Sequence, residues 1–130
     1  MKIDHIGIAV ADLEASVKVY TEVLGLEVAG YETIEEQKVK VAMLPVGDVN
    51  IELLQSTNPE GPIAKFIERK GEGFHHIAYR VDDIVQELAE LKEKEVRLID
   101  ETYRIGAHNA KIAFIHPKAM GGVLTELVER

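Results

Sequence analysis

Near the start of the chain Ile6, Ile8 and Val10 alternate with His5, Gly7 and Ala9, so residues 3–10 read as a strand with one apolar face and one face that carries a histidine. The period then changes. Leu13, Val17, Tyr20 and Leu24 recur at helical spacing, with Asp12 before them as an N-cap and Gly25 after them as a closing residue, which predicts an amphipathic helix over 13–24. Residues 26–33, 37–46 and 49–55 return to strand-like patterning, the last two joined by a Gly47-Asp48 turn. Ser56 to Pro62 is dense in turn formers, and Pro62 suits the first position of a short helix carrying Ile63, Phe66 and Ile67. Gly71-Glu72-Gly73 ends that connector. The opening order then repeats: a strand over 75–81, a helix begun by Asp83 and carrying Ile84, Leu88 and Leu91, and strands near 96–103, 110–115 and 122–129. The pattern predicts an α+β chain of two tandem β-α-β-β-β modules, about 1–56 and 74–130, with a linker and short helix over about 57–73, making one domain over 1–130.

The two modules also repeat in residue identity. His5-Ile6-Gly7-Ile8-Ala9-Val10-Ala11-Asp12-Leu13 aligns with His76-Ile77-Ala78-Tyr79-Arg80-Val81-Asp82-Asp83-Ile84, and Gly47-Asp48-Val49-Asn50-Ile51-Glu52-Leu53 aligns with Gly121-Gly122-Val123-Leu124-Thr125-Glu126-Leu127. Each half therefore supplies one histidine from its first strand and one glutamate from its last. Strand parity sets His5 opposite Ile6 and Ile8, His76 opposite Ile77 and Tyr79, Glu52 opposite Ile51 and Leu53, and Glu126 opposite Thr125 and Leu127. All four leave the apolar faces that the helices cover. A wet second face accounts for any one of them; it does not account for the same residue type at corresponding positions. His5, Glu52, His76 and Glu126 are thus candidate ligands of a divalent metal, with imidazole and carboxylate donors suited to cobalt, manganese, nickel or zinc.

Composition narrows the field. The chain has 130 residues, no cysteine, and 23 acidic against 15 basic side chains, a net charge of −8. Disulfides and thiolate metal sites are excluded, and the charge argues against nucleic acid or an acidic membrane surface as the main partner. No apolar run reaches the ~18 residues of a membrane span, and Met1 leads directly into strand-like sequence, so the expectation is a cytoplasmic protein. The remaining histidines have ordinary readings: His75 faces away from His76, His108 lies in a Gly-Ala-His-Asn loop, and His116 precedes Pro117.

With these stretches in view, the chain resembles the vicinal oxygen chelate superfamily and, within it, the methylmalonyl-CoA epimerases. The likeness rests on Asp4-His5-Ile6-Gly7-Ile8-Ala9-Val10, Ile51-Glu52-Leu53-Leu54, Gly71-Glu72-Gly73-Phe74-His75-His76-Ile77-Ala78, and His116-Pro117-Lys118 followed by Gly122-Val123-Leu124-Thr125-Glu126-Leu127. The Gly-Glu-Gly-x-His-His and His-Pro-Lys stretches are the more specific to the epimerases. The resemblance implies a glyoxalase-like fold whose paired modules form one curved-sheet metal-binding cleft. It also implies His5, His76 and Glu126 as metal ligands, with a fourth from the position of Glu52. The implied reaction inverts C2 of methylmalonyl-CoA through a metal-stabilised enolate, with acid/base groups on both faces. Members with a dedicated first-module base read Glu-Gln-Gly-Val-x-Glu, whereas this chain reads Glu36-Gln37-Lys38-Val39-Lys40-Val41, with Val41 at the base position. The expectation is therefore that Glu126 serves one face of the α-carbon and Glu52 the other. Lys40 is in reserve, facing away from Val39 and Val41.

An acyl-CoA substrate carries several negative charges, for which Lys118, Lys65 and Arg104 are the expected contacts. Open sheet edges and superfamily habit suggest a homodimer. Two alternatives stand beside the epimerase: a glyoxalase I type lactoylglutathione lyase, and a metal-free small-molecule binder of the antibiotic-sequestering kind.

Overall fold

The computed structural model describes every residue from Met1 to Arg130. The chain divides into two compact units, His5–His75 and a second made of Met1–Asp4 with His76–Arg130.

The first unit carries β1 (Lys2–Ala9, whose first residues are counted with the second unit), α1 (Leu13–Leu24), β2 (Gly30–Ile34), a 3₁₀ turn at Glu35–Gln37, β3 (Val39–Val46), β4 (Val49–Ser56) and α2 (Pro62–Lys70). Its strands lie in the order β2-β3-β4-β1, with β1 parallel to β4 and the other pairs antiparallel. Alternation sends the strand side chains into two separate apolar layers. Ala42, Leu44 and Leu53 pack with Val10, Leu13 and Val17 beneath α1, while Ala9, Val39, Val41, Met43 and Leu54 pack with Ile63, Phe66 and Ile67 of α2. The strand expected over 26–33 starts only at Gly30, because Leu26 and Val28 are drawn onto the α1 layer ahead of it.

The second unit carries β5 (Gly73–Arg80, whose first residues are counted with the first unit), α3 (Ile84–Glu93), β6 (Arg104–Ile105), β7 (Lys111–Ile115) and β8 (Thr125–Glu129), ordered β5-β8-β7-β6 with β5 parallel to β8. Val81, Ala113, Ile115 and Leu127 pack against Ile84 and Leu88 of α3; the other face carries Ala78, Ala110, Ile112, Val128 and Phe114. The strand expected over 96–103 is absent. Leu98 makes a single bridge to Ile115, and the ladder stops because the Asp100 carboxylate takes the Phe114 N–H (2.9 Å) that a neighbouring strand would have used. The last strand begins at Thr125 rather than 122, since a 3₁₀ turn over Pro117–Met120 runs into Gly121 and Gly122, both at positive φ (67° and 99°).

Each unit fastens its long helix to its sheet in the same way. Asp12 and Asp83 cap α1 and α3 by accepting from Ala15 and Gln86, both at 3.1 Å. A second free N–H in each first turn donates to a strand side chain: Leu13 to Gln55 Oε1 (2.6 Å) and Ile84 to Glu129 Oε1 (2.9 Å). These residues keep the register of the sequence repeat, and each staple satisfies a donor that the helix itself cannot. Gln55 and Glu129 lie three residues beyond Glu52 and Glu126, so each staple also anchors the strand that bears a candidate ligand. None of the helices is long and apolar enough to cross a membrane.

Candidate metal centre

In the first unit β1 and β4 run parallel with Gly7 level with Glu52. That register brings His5 Nδ1 to 3.4 Å from Glu52 Oε2, with both side chains buried. In the second unit β5 and β8 run parallel with Ala78 level with Glu126, and His76 Nε2 lies 3.1 Å from Glu126 Oε1, again buried. Each unit thus brings together the histidine and the glutamate expected of it.

The donors fit a divalent ion. Burial of an imidazole–carboxylate pair is costly unless the pair is satisfied by partners or a metal. Two ligand atoms at right angles on an ion with bonds of roughly 2.1 Å stand about 3 Å apart, close to the separation in both pairs. Nitrogen and oxygen donors without sulfur suit a borderline or hard divalent cation.

The surroundings of the two pairs differ. Across the ladder from Glu52 stands Met43, and across from Glu126 stands Phe114. Val41 is 2 % exposed within the apolar layer under α2, so the first unit has no carboxylate at that position. Lys40 faces away and sits over the Tyr31 ring at 5.7 Å. In the second unit the Phe114 ring meets His76 edge-on, centroids 5.6 Å apart, and Arg104 lies over the same ring at 5.7 Å.

The expected anion contacts are distributed unevenly. Lys65 is exposed on α2, 3.8 Å from Glu60. Lys118 is exposed in the 3₁₀ turn, where its backbone N–H donates to His116 Nδ1 (3.1 Å). Burial together with the Arg97 and Lys118 charges holds the His116 imidazole below its ordinary pKa. Arg104 is the member of the trio attached to a residue beside a candidate ligand. His75 is half-buried and meets Phe66 edge-on at 4.8 Å, while His108 is exposed in a short turn at φ 54°.

Several residues escaped the sequence reading. Asp4, with no side-chain exposure, accepts from Arg80 Nη2 (2.8 Å) and Nε (3.0 Å) and from Arg130 Nη2 (2.7 Å) and Nε (2.9 Å). The available signal was its parity: Asp4 falls in step with Ile6 and Ile8, on positions otherwise apolar. Glu72, within the Gly-Glu-Gly stretch, takes the Ala11 N–H at 2.7 Å and so fixes the turn into α1. The flanking Gly71 and Gly73 have φ of 81° and 142°, backbone that favours glycine.

A profile of the Glyoxalase/Bleomycin resistance protein/Dioxygenase superfamily matches residues 4–114. The chain belongs to this superfamily. The superfamily's glyoxalase-like α+β fold is the one described above. An uncharacterised protein of Bacillus subtilis, YqjC, is 44% identical over 98% of this chain and 91% of its own length. Human mitochondrial methylmalonyl-CoA epimerase is 39% identical, over 97% of this chain and 72% of its own. A solved structure of a Streptomyces coelicolor methylmalonyl-CoA epimerase variant in complex with 2-nitronate-propionyl-CoA superposes with a TM-score of 0.94 at 40% identity, covering 99% of this chain and 94% of that one. Within the superfamily, then, the chain is similar to epimerases over nearly its whole length.

Proposed function

We propose that the chain is a divalent-metal-dependent epimerase that interconverts the 2R and 2S forms of methylmalonyl-CoA. The observation that carries this reading is the buried His–Glu pair in each unit, within a chain that matches methylmalonyl-CoA epimerases along almost its full length. The reading assigns His5, Glu52, His76 and Glu126 to one ion, cobalt, manganese, nickel or zinc. That ion supplies Lewis acidity toward the negative charge that develops on the substrate oxygen.

The residues of the chain handle the proton. Glu126, as the carboxylate, takes the proton at C2 from one face and leaves the thioester enolate, and Glu52, in its protonated form, delivers its proton to the opposite face, with exchange against water resetting both groups. Running the pair in reverse gives the other direction. Val41 supports this assignment, since a buried valine leaves the first unit no other carboxylate on that stretch of β3. Burial favours both roles, because a carboxylate shielded from water is a stronger base toward a carbon acid and because shielding favours the protonated form that the donor needs. Lys118 and Lys65 are assigned to the phosphates of CoA, and the protein to a cytoplasmic homodimer.

The test uses the full chain loaded with cobalt and incubated with (2S)- or (2R)-methylmalonyl-CoA in D₂O. Epimerisation with deuterium entering at C2 is the expected result, with no turnover of methylglyoxal and glutathione. Turnover of that second pair would establish the lyase instead, and failure to bind any divalent ion at neutral pH would establish the metal-free binder.

A further inference from the structure

We propose that Asp4 is a positioning residue for the candidate ligand His5, an inference that rests on the metal-dependent reading above. Asp4 directly precedes His5 on β1, and one of its carboxylate oxygens lies within 4.8 Å of a ring nitrogen of His5. Alternation by itself sends neighbouring side chains to opposite sides of a strand. So close an approach has to be held in place.

Two guanidinium groups hold it. Arg80 donates to Asp4 Oδ1 through Nε (3.0 Å) and Nη2 (2.8 Å), while Arg130 donates through Nε to Oδ1 (2.9 Å) and through Nη2 to Oδ2 (2.7 Å). These bonds match the roughly four lone-pair sites that a carboxylate offers, and each is charge-assisted. The two arginines stand at corresponding places. Arg80 lies on β5 four residues beyond His76, and Arg130 follows β8 four residues beyond Glu126. The residue that leads into His5 is thereby fastened to the stretches of chain that bear the other histidine and the other glutamate.

Stability alone gives no reason for this cluster. Asp4 falls in step with Ile6 and Ile8, where an apolar side chain is the ordinary choice, and well-packed apolar residues often match or exceed the stability of a buried ion group. What planar, forked donors add is direction. A ligand needs that, since donor atoms have to stand within about 0.5 Å of their working positions, and the groups around a metal site orient the side chains that bind the ion. The second copy of the repeat is built otherwise. His75 occupies the place of Asp4 and meets Phe66 edge-on, while His76 is braced by the Phe114 ring.

The experiment uses the full chain and reads two properties of bound cobalt(II): its affinity, by competition with a chelator, and its visible absorption, which reports the geometry of its ligands. The variants are Asp4→Asn, Arg130→Gln and, as a control for lost stability, Ile84→Val in the layer beneath α3, each held at a temperature where urea unfolding shows it folded. Asp4→Asn should weaken cobalt binding by about 10- to 100-fold and alter the absorption. Arg130→Gln, which leaves Arg80 in place, should change both in the same direction by less. Ile84→Val should stay within about twofold of wild type with unaltered absorption, as a site independent of the ion. A folded Asp4→Asn with wild-type affinity and absorption would overturn the inference and leave the cluster a structural element alone. Equal weakening in Ile84→Val would overturn it as well, by making lost stability the cause. Both results leave the metal-dependent reading intact, whereas a wild type that binds no cobalt removes that reading and the inference together.

Discussion

The two units carry the same pair of donors on different ground. In the first, the face bearing His5 and Glu52 continues into an apolar layer of Val41, Met43 and Leu54 closed by α2. In the second, the face bearing His76 and Glu126 carries no helix residue in its apolar layer, and that unit instead holds Phe114, Arg104 and Asp100, with Arg80 and Arg130 joined on the buried carboxylate of Asp4. Position by position the repeat makes the contrast sharper. Asp4 corresponds to His75, Arg80 to Ala9, and Phe114 to Met43. Duplication has kept the candidate ligands, the N-caps and the staples from Gln55 and Glu129 to the helices, while the walls have diverged. This is the division expected if a metal is served by equivalent donors and a substrate with two dissimilar ends is not.

The largest expected effect concerns what the units share. Glu126→Gln and Glu52→Gln should each lower kcat for epimerisation by about 10²- to 10⁴-fold, with bound metal measured in parallel. If one variant keeps full activity with the ion in place, the two glutamates do not share proton transfer and the symmetry of function fails. Next comes a place where the units differ. Asp4→Ala should destabilise the protein by about 2–3 kcal/mol in urea unfolding, because it removes the carboxylate that two half-exposed guanidinium groups share. His75→Ala, at the corresponding position, removes an edge contact with Phe66 from a half-buried ring and should cost less, about 1 kcal/mol. Comparable losses would show that the ion cluster is no more than packing.

Smaller effects test the staples. Gln55→Ala and Glu129→Ala should each cost about 1 kcal/mol, alike in the two units, since each frees one helix N–H. The smallest effect belongs to His116, whose counterpart in the repeat is Pro45. Its pKa is lowered in the folded chain, so the unfolded chain takes up the proton first as pH falls below the ordinary imidazole value of about 6.5. The contribution of His116 to stability is therefore complete above that value and declines until pH passes the folded value. Titration of its ring by NMR should give a midpoint below that of an unfolded peptide containing the same residues.

Much of the architecture was already readable along the chain. The 12 residues of α1 fall where Leu13, Val17, Tyr20 and Leu24 place them, and strand parity put His5 and Glu52 on one face and His76 and Glu126 on the corresponding one. These features are set by periods of two and 3.6 residues, which short stretches express on their own. The strand over 96–103 failed for the opposite reason. Its apolar residues suit a ladder, but Asp100 competes for the Phe114 N–H from 14 residues away, and hydrophobic pattern does not register a side chain acting as a backbone partner.

The sequence by itself determined the order of elements, the faces they present and the duplicated donors, because each follows from spacing within one strand or helix. Only the tertiary structure decided that Asp4 lies between Arg80 and Arg130, 76 and 126 residues away, that Gln55 and Glu129 hold the helices, and that Arg104 rests on Phe114. A charged or amide side chain carries no periodic mark of its partner. Its pairing is chosen when the folded backbone brings a complementary group close to it in partial shelter from water.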